Sequence, residues 1–160
     1  MTAPTQMPRH DWSAGHAPDT MPLMLRLHWV QGLAFSQAQD VWARHGLTPA
    51  EFDVLATLRN APPPFELTPS QLQASLMITS GGLTKVMARL EAGKLVARSR
   101  SGADQRIKPI RLTSSGKRLV EKAMAELAAV AGTWVRGRLS ASEIGVLTEL
   151  LQRLADVAPE

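Results

Sequence analysis

Between Thr68 and Leu112 the chain concentrates side chains that attract anions. Lys85, Arg89, Lys94, Arg98, Arg100, Arg106, Lys108 and Arg111 stand there against only Glu91 and Asp104. This segment carries +6, whereas residues 1–67 carry −2 and residues 113–160 are neutral. Excess charge of one sign confined to one stretch marks a phosphate-binding surface rather than a uniformly solvated exterior. Reaction chemistry finds little support elsewhere. The chain has no cysteine, which excludes thiolate catalysis, direct thiol redox sensing and cysteine-ligated zinc. His10, His16, His28 and His45 lack the i, i+4 spacing of helix-borne metal ligands. Ser80-Gly81-Gly82 resembles the opening of a phosphate loop, but no Gly-Lys-Ser/Thr follows. No enzyme activity and no cofactor is expected.

The elements around these cations must hold them in place. LTPSQL opens a helix: Thr68 is an N-cap, Pro69 suits the first helical position, and Gln71 reaches back to the cap. Leu67 and Leu72 flank that cap as a hydrophobic staple. A second helix is expected over about 79–92, ending at Gly93, which takes a left-handed C-terminal conformation cheaply. Leu83, Val86, Met87 and Leu90 form its buried stripe. Ser80, Thr84, Lys85 and Arg89 lie on its other face, with Gly81 and Gly82 at the entrance. Residues 95–99 and 107–112 read as extended runs around the turn residues 101–104. Pro109 removes a ladder donor and points to an edge strand. A helix-turn-helix followed by a basic hairpin is a winged-helix arrangement for DNA. The helix fits a major groove, and the hairpin reaches the backbone or the adjacent minor groove.

The remaining segments frame this unit. Residues 1–20 are rich in Pro, Gly and polar groups and read as a flexible arm. A broad apolar stripe predicts a helix over about 22–45 that needs partners on two sides. LTPAEF repeats the cap, proline and capping-box grammar at Thr48, Pro49 and Glu51. Residues 61–65 read as a stiff extended connector. Thr113 caps a long helix reaching about residue 138, and Ser140 with Glu143 opens the last one. The expected fold is mainly α with a small β-hairpin wing. Its winged helix-turn-helix core spans about 47–112, within a single domain over 21–160. The helices over about 22–45 and 113–158 carry more apolar surface than that core covers, which suggests a helical dimerisation region. No apolar stretch approaches the roughly 18 residues of a membrane span.

The stretch LTKVMARLEAGKLVARSRSGADQRIKPIRLTSSGKRL resembles the MarR family of bacterial transcription regulators. The likeness covers about residues 22–158. Its most specific signal is Asp104-Gln105-Arg106 at its set distance after RLEAGKLV and just before IRLTSSGKRL. The resemblance implies a cytoplasmic, nucleoid-associated homodimer on a palindromic double-stranded operator, acting as a repressor. It places Arg106 in the minor groove or on its phosphates, with Asp104 orienting nearby arginines. Ser80, Gly81, Thr84, Lys85, Arg89, Arg98, Arg100 and Lys108 complete the expected DNA contacts. Lys85 stands where relatives often carry arginine; it lacks the fork that pairs with guanine, so phosphate is its expected partner. The family also implies release by a small aromatic or phenolic effector, with His28, Trp29, Phe35, Asp53 and Arg59 as possible lining groups. The alternative is a winged-helix protein-interaction module without sequence-specific DNA binding. Such a module calls for a less basic, more apolar wing.

Overall fold

The chain is described by a computed structural model over residues 17–76, 79–99 and 108–156. Short-range capping sets most helix starts. Helix α1 spans Met21–Arg44 and α2 spans Pro49–Asn60. Thr48 caps α2 with a full capping box: its side chain accepts from Glu51 N, and Glu51 Oε2 accepts from Thr48 N at 2.8 Å. Strand β1 is Glu66–Leu67, followed by α3 over Pro69–Ser75 with the equivalent box between Thr68 and Gln71. Helix α4 runs Ser80–Ala92, capped by Thr79. Strands β2, Val96–Arg98, and β3, Ile110–Leu112, lead to α5 over Ser114–Arg136 and α6 over Ala141–Ala155. Ser140 and Glu143 form the third box, at the start of α6.

Four local expectations need correction. Gly93 has right-handed φ −74°, and the left-handed residue is Lys94 at φ 56°. The chain reverses one residue later because Leu95 N donates to Leu90 O at 2.9 Å, closing the helix end around Lys94. Residues 62–65 form a turn instead of an extended rod: Phe65 N donates to Pro62 O, and Phe65 has φ 60°. The Pro63–Pro64 bond is cis. That turn aims Glu66 and Leu67 at Arg111 and Ile110, so β1 joins the sheet and the order is β1-β3-β2. The second wing strand is therefore central, not an edge. Pro109 sits just outside it, where its missing N–H costs no ladder bond, and its carbonyl accepts from Ser99 N at 2.7 Å. The strands are also shorter than the expected extended runs.

The core gathers one face of every element from α1 to α5. Leu55, Leu58, Leu72, Leu90, Ile110 and Val120 are fully buried. Trp42 of α1 packs against Phe52 of α2, with ring centroids 5.5 Å apart. The wing is locked to α5 at Gly116, where a Cβ would collide with the Leu95 carbonyl oxygen. Thr113 reinforces that seam: its Oγ1 accepts from Gly116 N at 3.0 Å and lies 2.9 Å from the carbonyls of Lys94 and Leu95. At the far end, Arg44 and His45 both reach Glu126 of α5, at 2.7 and 2.8 Å. Helix α6 buries none of its residues.

Candidate nucleic-acid interface

Helix α4 packs through Leu83, Met87 and Leu90, while Ser80, Gly81, Thr84, Lys85, Ala88 and Arg89 are exposed. Its N-terminus is closed internally. Thr79 Oγ1 accepts from Gly82 N at 3.2 Å, and Thr84 Oγ1 donates to Ser80 O at 3.0 Å. A Cβ on Gly81 would meet nothing within 4 Å. The fold itself therefore gives no packing reason for glycine there. The exposed strip is narrow, small and polar, the shape that lets a helix backbone come close to base edges.

The arginines on and beside this helix are not simply free charges. Arg89 Nε lies 2.9 Å from Glu51 Oε1 at the start of α2. Arg98 Nε lies 2.9 Å from Glu91 Oε1, an ion pair without an aligned hydrogen bond. Arg111 donates to Glu66 across the β1–β3 pair at 3.2 Å. Sequence reasoning missed all three partners. Glu51 had a signal, its capping-box position, but that signal explains only one of its two oxygens. Among the described residues, Lys85, Lys94 and Lys108 are exposed and make no ion pair. Two residues apart on a helix are separated by about 160° around its axis. Arg89 and Glu91 therefore tie opposite flanks of α4, one to α2 and one to the wing. Arg100, Asp104 and Arg106 lie outside the described residues.

The nominated effector residues are spread over α1 and α2. His28 is exposed and Trp29 half-buried, both in the first half of α1. Asp53 is exposed as a residue, yet partial burial of its carboxyl raises its pKa above the ordinary value. Arg59 donates to Glu121 of α5 at 2.7 Å and lies 5.4 Å from the centre of the Phe65 ring. Phe35 packs edge-on against Trp42. An open cavity of about 520 Å³ lies elsewhere on the α1–α5 contact, lined by Gln37, Ala129, Val130, Thr133, Trp134 and Arg138. None of these six was nominated from the sequence as an effector contact. Gln37 and Trp134 lie on separate helices brought together only by packing.

Comparison with known proteins follows the same lines. Residues 45–107 match the MarR family model. The chain is 36% identical to the HTH-type transcriptional regulator PecS of Dickeya dadantii over 95 residues, 59% of this chain and 57% of PecS. It thus spans little more than half of that relative. It is 30% identical to the HTH-type transcriptional regulator MhqR of Bacillus subtilis over 112 residues, 69% of this chain and 74% of MhqR. Apo wild-type MarR from E. coli superposes with a TM-score of 0.73 at 25% identity, covering 86% of this chain and all of that one. Bordetella bronchiseptica BpsR, whose DNA binding is regulated by 6-hydroxynicotinic acid, superposes with a TM-score of 0.68 at 26% identity, covering 89% and 98%. Among the described residues no helix is long and apolar enough to cross a membrane. A winged helix that leaves a small polar helix face open, matched by these relatives, places the chain in the MarR family of DNA-binding transcription regulators, which are not enzymes.

Proposed function

We propose that this chain is a homodimeric repressor that reads an inverted repeat with paired α4 helices. The exposed Gly81–Thr84–Lys85–Ala88 strip of α4 carries this reading. It offers small and polar groups with a cation, and no large apolar side chain for a protein partner. Lys85 supplies a phosphate contact; Ser80 and Thr84 face base edges. Arg106, Arg100 and Asp104 belong to the wing contact by family resemblance.

Dimerisation rests on the apolar surface left uncovered. Leu23, Met24, Val30 and Phe35 on α1 and Val146, Leu147, Leu150, Leu151 and Leu154 on α6 are all exposed. Leu147, Leu150, Leu151 and Leu154 follow the i, i+3, i+4, i+7 spacing of one face. Nine large apolar residues left in water exceed what a monomer leaves scattered. A second copy offers the same stripe in return, as two-fold symmetry requires. Repression is then steric, since a bound dimer occupies the operator.

The effector in this reading is a small aromatic or phenolic acid, the class that regulates BpsR. His28, Trp29, Asp53 and Arg59 remain its nominated contacts.

Selection of duplexes from a random pool, followed by titration at several salt concentrations, tests the reading. Enrichment of a palindrome with a steep salt dependence is the expected result, because each neutralised phosphate releases counterions. A nearly flat dependence would count against it. Arg106→Ala is expected to weaken operator binding while leaving the dimer intact; unchanged affinity would remove Arg106 from the contact.

A further inference from the structure

Glu51 is the one buried charged side chain among the described residues, 4% exposed. A carboxylate taken out of water is costly unless it is paired and hydrogen-bonded. Its Oε2 serves the cap of α2, accepting from Thr48 N and Thr48 Oγ1, both at 2.8 Å. That task does not need a charge. The sister box of α3 uses Gln71, whose Oε1 accepts from Thr68 N at the same 2.8 Å. The charge at Glu51 has a different recipient, Arg89 on α4, reached by Oε1 at 2.9 Å.

Arg89 is approached at Nε, and its side chain remains 60% exposed. A guanidinium paired at Nε leaves its two terminal nitrogens for another acceptor, and their fork matches a phosphate. Arg89 also follows Lys85 by four residues, so the two cations form one row along the flank of α4.

We propose that Glu51 is a positioning residue for DNA binding: it holds Arg89 so that its terminal nitrogens meet a backbone phosphate beside the groove α4 enters. This rests on the DNA-binding reading above. If Glu51 merely cancelled the charge of Arg89, its removal would strengthen binding, the opposite sign to a positioning role.

The test uses the full chain and the duplex that it enriches from a random pool. Arg89→Ala is expected to weaken binding roughly tenfold or more, as for the loss of a charge-assisted hydrogen bond. It should also lower the log–log salt slope by roughly 0.9 per phosphate contact, thus by roughly 1.8 per dimer. Glu51→Gln keeps the capping box and the melting temperature, yet reproduces much of both losses. It adds nothing in the Arg89→Ala background. A merely structural defect would reduce the active fraction and leave the slope unchanged. Binding by Glu51→Gln as tight as the parent or tighter, or losses that multiply in the double variant, overturns the proposal. Arg89→Lys keeps the charge but lacks the fork, and it is expected to bind well below the parent. Parent-like binding by Arg89→Lys overturns the proposal even if Glu51→Gln fails to fold. A flat salt dependence in the parent itself would remove the regulator reading and this one together, whereas a steep parent slope with unaffected variants removes this one alone.

Discussion

Helices α4 and α6 are of similar length and both leave a face uncovered, but those faces differ in kind. Helix α4 sinks Leu83, Met87 and Leu90 into the core and turns Gly81, Thr84, Lys85 and Ala88 outward. Helix α6 sinks nothing and leaves Val146, Leu147, Leu150, Leu151 and Leu154 in solvent. Water tolerates the first face indefinitely and penalises the second. The difference teaches that exposure alone does not define a partner; the chemistry of the exposed face does. A small polar strip with a cation suits a polyanion, and a leucine stripe suits another apolar stripe.

The largest effect that could break this contrast is at α6. Leu150→Glu places a charge in the proposed interface twice per dimer, and it is expected to weaken association by about 3 kcal/mol or more. Sedimentation equilibrium would report a shift to monomer, and an unaltered dimer would remove α6 from the interface. Next comes the platform between the two helices. Gly116→Ala drives a methyl into the Leu95 carbonyl oxygen, and overpacking of this kind costs about 2 kcal/mol. Chemical denaturation should show that loss, with the wing displaced from α5. A protein as stable as the parent would mean that the seam gives way more easily than the contact implies.

A smaller effect sharpens the reading of α4. Gly81→Ala meets open space and adds helix propensity, so folding stability is expected to hold or rise by up to about 1 kcal/mol. DNA affinity is expected to fall instead, because the added methyl occupies the approach of the duplex. Equal affinity for DNA would show that no close backbone approach occurs there. The smallest effect is at the α1–α5 tie. Hydrogen bonds from Arg44 and then His45, with their charges adding, hold Glu126 below its ordinary carboxylate pKa. A lowered folded-state pKa contributes stability that is present above the unfolded value of about 4.5 and lost as pH falls through the folded one. Glu126→Gln should therefore lower the melting temperature slightly at neutral pH, where the contribution is complete, and flatten the shallow acid limb below pH 4.5, so that variant and parent converge in acid. An unchanged acid limb would show that this exposed cluster is too well screened to matter.

Much of this organisation could be read before any packing was known. The boxes at Thr48, Thr68 and Ser140 were legible because a cap and its partner lie three residues apart. The stripe of α4 was legible because Leu83, Met87 and Leu90 share a face by helical period alone. The reversal at Lys94 was not legible. Glycine stood one residue earlier, and the choice between them was made by Leu95 docking beside Gly116 and Thr113. Strand β1 was also hidden. Two residues carry no period, and their role came from pairing with Ile110 and Arg111. The uncovered face of α4, with Ser80, Thr84, Lys85 and Arg89, was legible from the helical period, but the electrostatic partner of Arg89 was not, and the cavity beside Trp134 was not foreseen at all.

The chain by itself determined where its helices begin, which face of each is apolar, where the positive charge gathers, and, through one run of residues, its family. These are properties of neighbours within a turn or two. Only the tertiary structure decided which cations are held and by what. Arg111 meets Glu66 across 45 residues, Arg59 meets Glu121 across 62, and Arg44 meets Glu126 across 82. Arg89 is gripped by an acid that its own helix does not contain. Such pairs depend on how whole elements dock, and docking follows from shape and buried area summed over many residues, which no local window contains.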